Sequence, residues 1–220
     1  MDTQVKPNID NLRINGQRLW DSLMELAQIG ATPKGGVCRL TLTDLDKQGR
    51  DLVTRWAREA GMTVTIDKIG NGFMRRPGRN DSLPPIMTGS HIDTQPTGGK
   101  FDGNYGVLAG LEVMRTLNDH NIETEAPVEV SFWTNEEGSR FVPVMMGSGV
   151  FAKAFTLEHA YAATDTGRAY VQRYREIRES CLIDALKADD ALNRDIGELA
   201  RLLRVLSGMY DQAARSAASL

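Results

Sequence analysis

The chain has 220 residues, of which 41% are hydrophobic and 25% are charged, as is usual for a globular protein with a sizeable core. Its net charge of −3 provides no basic surface, so nucleic acid is not expected as a partner. A membrane is not expected either, because no apolar run approaches the about 20 residues that span a bilayer, and the polar N-terminus lacks a signal-peptide core. Cys38 and Cys181 form no CxxC pair, and we expect two free thiols in a reducing cytoplasm.

Helical and strand patterns alternate along the first part of the chain. Leucines at helical spacing, capping residues and glycine stops define the helices, whereas alternating or short apolar runs define the strands. This alternation favours an α/β layered domain, in which a mixed sheet is flanked by helices. The predicted elements, in order, are a helix over 8–29, a helix from 43 or 44 to about 60, a strand over 62–67, a turn and short strand within 69–78, a strand over 86–88, a helix over 105–120, a strand within 126–138 and a short helix over 145–155.

The pattern changes near residue 165. From residue 168 onward the sequence predicts amphipathic helices and contains no strand signals. A leucine stripe over residues 199–206 is typical of core packing or helix pairing. We therefore expect two regions, an α/β domain over 1–166 and a helical tail over 167–220.

The stretch GSHIDTQPTGGKFDGNYG, residues 89–106, combines a histidine with carboxylates and turn-forming glycines. If the strand continues through His-Ile-Asp, His91 and Asp93 point to the same face. His91 could then bind a metal, while Asp93 accepts a hydrogen bond from the other ring nitrogen. Asp102, in a turn before a helix, could bridge two ions. The alternative is a structural histidine beside two turn aspartates.

The second candidate group is the pair Glu136 and Glu137, which follows the apolar strand VEVSFW. Adjacent glutamates are usually solvated surface charge. Open α/β sheets, however, place their sites at the carboxyl ends of strands. One glutamate could bind a metal and its neighbour could accept a proton from an attacking water. His120 and His159 are not expected to be ligands, because neither occupies a comparable position at the end of a strand.

Several motifs, in this order, resemble the dinuclear-metal, aminoacylase-like amidohydrolases, and in particular their N-carbamoyl-L-amino-acid hydrolase and allantoate amidohydrolase branch. The resemblance covers roughly residues 8–166, including IGNGFMRRPG and GGVCRLTLTD. It implies a partial phosphorylase/hydrolase-like zinc-peptidase catalytic domain. The motifs that carry it most specifically are GSHIDTQPTGGKFDGNYGVLAGLEV, FWTNEEGSRF and MMGSGVFAKAF.

The resemblance also implies a site with two divalent metal ions, for which zinc is expected and manganese, nickel or cobalt can serve. In such a site His91 binds the first ion, Asp102 bridges both, and Glu137 binds the second. Glu136 is then the general base and acid, and Asp93 braces His91. The implied reaction converts an N-carbamoyl-L-amino acid into the L-amino acid, ammonia and carbon dioxide. Allantoate or a β-ureidopropionase substrate is the alternative.

The sequence departs from the family pattern after residue 166. The second-half metal ligands and the lid domain, which mediates dimerisation, are absent from the 220 residues, and the tail is unlike the family. We therefore expect a truncated chain with impaired catalysis, which could still form a homodimer. The rival hypothesis is a catalytically inactive fragment that acts as a helical association module.

Overall fold

The structure, a computed structural model, describes residues 12–165. Within this range a four-stranded sheet is flanked by helices, which confirms the predicted α/β class. The predicted tail over 167–220, its leucine stripe and Cys181 lie outside the described residues, and the boundary at 166 stays a prediction. The elements are α1 (Gly16–Leu26), α2 (Asp44–Glu59), β1 (Thr63–Ile66), β2 (Gly72–Arg76), β3 (Ile86–His91), α3 (Asn104–Asp119), β4 (Val128–Trp133), α4 (Met146–Phe151) and α5 (Leu157–Tyr161).

Side-chain caps set where the first two helices begin. The Asn15 side chain accepts a hydrogen bond from the backbone N–H of Arg18, so α1 begins at Gly16 rather than at the predicted residue 8. Residues 12–15 are not helical, and residues 8–11 lie outside the described range. Thr43, one of the two predicted start residues, caps α2 through the N–H of Asp46. The α2 bounds therefore agree closely with the prediction.

The sheet has the strand order β1-β2-β4-β3. The β1–β2 and β2–β4 pairs are antiparallel, whereas β3 and β4 are parallel neighbours. In the parallel register His91 is level with Trp133, and these two residues end their strands. The two carboxyl ends therefore meet at one edge of the sheet. The β3 strand continues three residues beyond the predicted 86–88 because its ladder with β4 runs to His91.

The main core lies between the sheet and helices α1, α2 and α3. Trp56 from α2, Leu111 from α3 and Phe132 from β4 belong to this cluster and are almost fully buried. Each such side chain contributes on the order of 2 kcal/mol through the burial of apolar surface. On the opposite face, Phe151 of α4 lies with its ring centroid 5.2 Å from that of Trp133. The sheet is therefore flanked by helices on both faces at its site-bearing end.

A partly buried ion pair joins α1 to α3. The Arg18 guanidinium donates to both carboxylate oxygens of Glu112 at 2.8 Å, and the Glu112 side chain is only 1% exposed. Hydrogen bonds that Arg18 donates to Glu112 and then to Asp119 raise the pKa of Arg18 above its usual range. No helix among residues 12–165 is long and apolar enough to cross a membrane. Cys38 is a buried free thiol, and burial raises its pKa.

Candidate metal centre

Three chain segments converge at the edge where β3 and β4 end. His91 is the last residue of β3, and the turn after β4 carries Glu136 and Glu137. Asp102 lies in the turn that leads into α3, whose packing against β3 brings that turn to the same edge. The parallel pairing of β3 with β4 therefore assembles residues that are 46 positions apart in sequence, from His91 to Glu137.

The predicted metal ligands lie close together. One ligand atom from each of His91, Asp102 and Glu137 can be chosen such that all three lie within 4.8 Å of one another. The His91 Nε2 atom is 3.9 Å from Asp102 Oδ1 and 3.3 Å from Glu136 Oε2. The His91 side chain is 7% exposed, whereas that of Asp102 is 71% exposed, so the cluster is open to solvent on the Asp102 side.

The orientation of His91 is fixed by two backbone features. Its Nδ1 atom lies 2.9 Å from the Asp93 carbonyl oxygen, and because a carbonyl only accepts, Nδ1 carries the proton. The glycine that precedes α3, Gly103, has φ +65°, and a Cβ there would lie 2.5 Å from three atoms of the His91 ring. The close approach of this backbone to the imidazole therefore requires glycine.

The way in which Asp93 supports His91 differs from the sequence prediction. The strand ends at His91, so the strand alternation does not extend to Asp93. Its nearer carboxylate oxygen is 3.7 Å from Nδ1, and the carbonyl oxygen is the hydrogen-bond acceptor. The carboxylate instead faces the backbone N–H groups of Glu136 and Glu137, at 3.4 and 3.3 Å. Asp93 therefore connects the histidine segment to the glutamate turn.

Burial dominates the electrostatics of Asp93. Desolvation raises the pKa of its carboxyl group to about 6, although His91 and the Glu137 N–H oppose this shift. The nearby carboxylate of Asp46 adds to it. The two N–H groups therefore offset only part of the cost of burying this carboxylate.

The donor set fits a divalent cation. Because Nδ1 of His91 is the proton donor to Asp93, the Nε2 lone pair faces the oxygens of Asp102 and Glu136. Zinc takes nitrogen and oxygen ligands at about 2.0–2.2 Å, so ligands of one ion are at most about 4.4 Å apart. The observed spread within 4.8 Å requires only small side-chain adjustments. One imidazole and two carboxylates are the ligand types that zinc and manganese accept.

Both glutamates reach the cluster, so the structure does not separate their predicted roles. Glu137 belongs to the three-ligand group, and its Oε2 atom accepts a hydrogen bond of 3.0 Å from Gln95 Nε2. Glu136 makes the shorter approach to His91 Nε2, and its side chain is 28% exposed. The roles of Glu137 as ligand and Glu136 as proton carrier, together with those of His91, Asp93 and Asp102, stay predictions.

The other two histidines lie outside the cluster. His120 is an exposed residue at the C-cap of α3, near the helix end that the sequence predicts. His159 lies within α5, and its ring centroid is 5.9 Å from that of Phe155. In the described part of the chain, no second group of three metal-ligating side chains accompanies His91, Asp102 and Glu137.

Sequence reasoning missed several residues that shape the site. Gln95 contacts Glu137, and its position two residues after Asp93 was the available signal. Asn135 is buried and donates to the carbonyl oxygens of Phe141 and Pro143, which fixes the loop that follows the glutamates. The position of Asn135 beside the glutamates in the NEEG motif gave no indication of these two contacts, because the acceptors are backbone atoms of a folded loop.

Comparison with known proteins shows which family part of the chain resembles. Residues 87–183 match Peptidase family M20/M25/M40. An N-carbamoyl-L-amino-acid amidohydrolase from Rhizobium meliloti is 53% identical over 169 residues, which is 76% of this chain and 41% of that protein. A second, from Geobacillus stearothermophilus, is 46% identical over 63% of this chain and 34% of its own length. Allantoate amidohydrolase and ureidoglycolate hydrolase are more distant relatives.

The solved structures that are similar to this chain include amidases of the same kind. A hydantoinase/carbamoylase family amidase from Burkholderia multivorans superposes with a TM-score of 0.70 at 67% identity, over 71% of this chain and 38% of that chain. The chain therefore spans less than half the length of the relatives it matches. The part of the chain over residues 87–183 is similar to Peptidase family M20/M25/M40. The proteins that the chain is similar to include carbamoylase-type amidases.

Proposed function

We propose that this chain carries half of the dinuclear metal site of an amidohydrolase that cleaves N-carbamoyl-L-amino acids. The observation that carries the proposal is the convergence of His91, Asp102 and Glu137 within 4.8 Å at the end of the parallel strand pair. The names of the relatives supply the substrate class, a ureido group on an amino acid. Zinc is the proposed metal, and manganese, nickel or cobalt are the alternatives.

Each residue of the cluster has a proposed part in the chemistry. His91 would hold one ion through Nε2, because its Nδ1 proton is committed to the Asp93 carbonyl. Asp102 would bridge this ion to a second one, to which Glu137 would bind. A bound divalent metal ion supplies Lewis-acid polarisation of the ureido carbonyl. The Asp93 carboxylate orients the glutamates through their backbone N–H groups.

Glu136 is the proposed proton carrier. Its carboxylate is partly exposed and lies at the cluster, within reach of a water that attacks the ureido carbon. Glu136 Oε2 would accept the proton of that water and return it to the departing nitrogen. The reaction consumes one water, and the carbamoyl amino acid then yields the L-amino acid, ammonia and carbon dioxide, so that all atoms balance.

The ligand count limits what this polypeptide does alone. Among residues 12–165 there is one three-ligand group, which is enough for one ion if Glu137 joins His91 and Asp102. Divided between two ions as proposed, the same three residues would leave each ion with only two ligands. We therefore expect the purified chain to bind one metal ion well and to turn over substrate slowly. Assembly as a homodimer, a cytoplasmic location and the association-module hypothesis stay predictions.

A metal titration and a paired activity assay test the proposal. Isothermal titration of the full chain with Zn²⁺ or Co²⁺ should give one binding event, which His91→Asn abolishes. His120→Asn is the matched control, because His120 is exposed and distant in the fold from the cluster, and it should leave binding unchanged. Binding that survives His91→Asn would refute the assigned site.

Turnover is measured on N-carbamoyl-L-methionine and on allantoate with the metal-loaded chain. Any hydrolysis should fall by on the order of 100-fold or more in Glu136→Gln, which keeps the size of the side chain but removes its proton-accepting carboxylate. Metal binding should persist in that variant. A higher kcat/KM on allantoate than on the carbamoyl amino acid would select the alternative substrate. Glu136→Gln with the parent rate would exclude Glu136 as the proton carrier.

A further inference from the structure

A fully buried arginine bonds to the two segments that carry His91 and Asp102. Arg39, in the loop between α1 and α2, is 0% exposed and is one of the largest fully buried side chains. Its guanidinium donates to three backbone carbonyls and one side-chain amide, all neutral oxygens, as given by its hydrogen bonds to Leu26, Ile29, Ile92 and Asn104. Burying a charge in this way is costly, so its retention requires a reason beyond filling space.

Two of the four acceptors of the Arg39 side chain belong to the segments that carry the metal ligands. Nε donates to the carbonyl of Ile92 at 2.7 Å, and Ile92 follows His91 directly. Nη2 donates to Oδ1 of Asn104 at 2.8 Å, and Asn104 is two residues after Asp102. One planar group therefore holds the end of β3 and the beginning of α3 at a fixed separation.

The same guanidinium is itself anchored on α1. Nη1 donates to the carbonyl of Leu26 at 3.0 Å and to that of Ile29 at 2.8 Å, at the C-terminal end of the helix. The Arg39 backbone N–H donates to Thr94 Oγ1 at 2.7 Å, and its carbonyl accepts from the Thr94 N–H at 2.9 Å. Arg39 is therefore fixed from both its backbone and its side chain.

Helix α2 makes room for this side chain. Gly49 lies in the interior of α2, where glycine costs about 1 kcal/mol relative to alanine. A Cβ at Gly49 would lie 2.9 Å from Arg39 Cδ and 3.1 Å from Nε. Glycine is needed at position 49 because the Arg39 side chain packs against the helix there, and a methyl group would displace the guanidinium.

We propose that Arg39 is a positioning residue of the metal centre, which sets the separation of the His91 and Asp102 segments. This inference rests on the proposed function for the identity of the site. The planar, forked guanidinium of Arg39 is essential to this positioning role. A lysine ammonium at the end of a flexible stem does not reach acceptors on three separate segments at once. The alternative is a purely structural role, in which any loss would follow general stability.

Arg76 offers a matched control. Its guanidinium also bonds neutral oxygens, donating to Asn118 Oδ1 at 2.8 Å and to the Ile122 carbonyl at 2.6 Å. It lies at the end of β2 that pairs with Val128, the opposite end of β4 from the site. Arg39→Lys and Arg76→Lys therefore remove the same kind of contact at two distances from the metal centre.

Two measurements on the full chain decide the proposal. Hydrogen exchange of the metal-free protein should show faster exchange over residues 90–104 in Arg39→Lys, with β2 unchanged, whereas Arg76→Lys should leave 90–104 as in the parent. Titration with Co²⁺ should show affinity at least tenfold lower in Arg39→Lys, with an altered visible spectrum, and less than twofold lower in Arg76→Lys. Gly49→Ala, which displaces the guanidinium and keeps its charge, should shift both readouts in the same direction if Arg39→Lys does not fold.

Parent-like exchange over 90–104 and parent-like Co²⁺ affinity in Arg39→Lys would overturn the proposal. Equal losses in Arg39→Lys and Arg76→Lys would overturn it as well, because they would show a general effect on stability. If the parent chain binds no Co²⁺, the proposed function fails, and the exchange comparison in the metal-free protein alone decides the role of Arg39.

Discussion

Replacing Gly103 with alanine would place a methyl group 2.5 Å from Cδ2, Cε1 and Nδ1 of His91. Carbon atoms in favourable contact are about 3.5–4.0 Å apart, so the imidazole or the turn must move by about 1 Å. A displacement of that size breaks the alignment of Nε2 with the carboxylates. We expect metal affinity to fall by about 10- to 100-fold, the range seen when groups that orient a ligand are altered.

The backbone contributes a separate effect. Gly103 has φ +65° and ψ −49°, outside the left-handed α region, so an L-residue there costs at least the about 1–2 kcal/mol of that region. For a protein of this size that loss lowers the melting temperature by at least about 2–8 °C. Gly61→Ala is the matched control, because Gly61 has φ +78° and no atom lies within 4 Å of the place that its new methyl group would occupy. It should lose thermal stability through backbone strain alone and keep the metal affinity of the parent.

The assay is calorimetric titration of the parent and both variants with Co²⁺, together with thermal unfolding of the metal-free proteins. Parent-like affinity in Gly103→Ala would refute the view that this backbone holds the His91 ring in place. An equal loss of affinity in Gly61→Ala would refute it too, because it would trace the effect to backbone strain alone.

Two further perturbations test the metal centre and the sheet. Metal at 100 times its dissociation constant should stabilise the chain by about 2.7 kcal/mol, so excess chelator should lower the melting temperature by about 5–11 °C, and this shift should be absent in His91→Asn. Gly72→Ala would direct a methyl group into the buried Phe132 ring and should lower the free energy of unfolding in urea by about 1–3 kcal/mol. Gly16→Ala, with open space around the methyl position, should not destabilise the chain, and equal losses in the two glycine variants would contradict the packing argument.

The sequence predicted the elements well where local physics defines them. The predicted bounds of α2, 43 or 44 to about 60, hold to within a residue, because Thr43 as a cap and Gly61 as a stop act on their own helix ends. The start of α1 was predicted too early, because leucine spacing does not reveal that Asn15 caps the helix. The predicted strand over 86–88 was too short, because its last residues are polar or glycine and are held by pairing with β4 rather than by propensity.

The sequence by itself also predicted the residues of the candidate site, from an imidazole and carboxylates beside strand ends and glycine turns and from the resemblance of these motifs to a known family. Only the tertiary structure decided that β3 and β4 are parallel neighbours, which brings His91 to Glu136 and Glu137. It also decided that the Asp93 carbonyl, rather than its carboxylate, bonds the imidazole. The buried guanidinium of Arg39 was equally invisible in the sequence, because its acceptors are mostly backbone carbonyls, which every residue possesses and only the fold assembles.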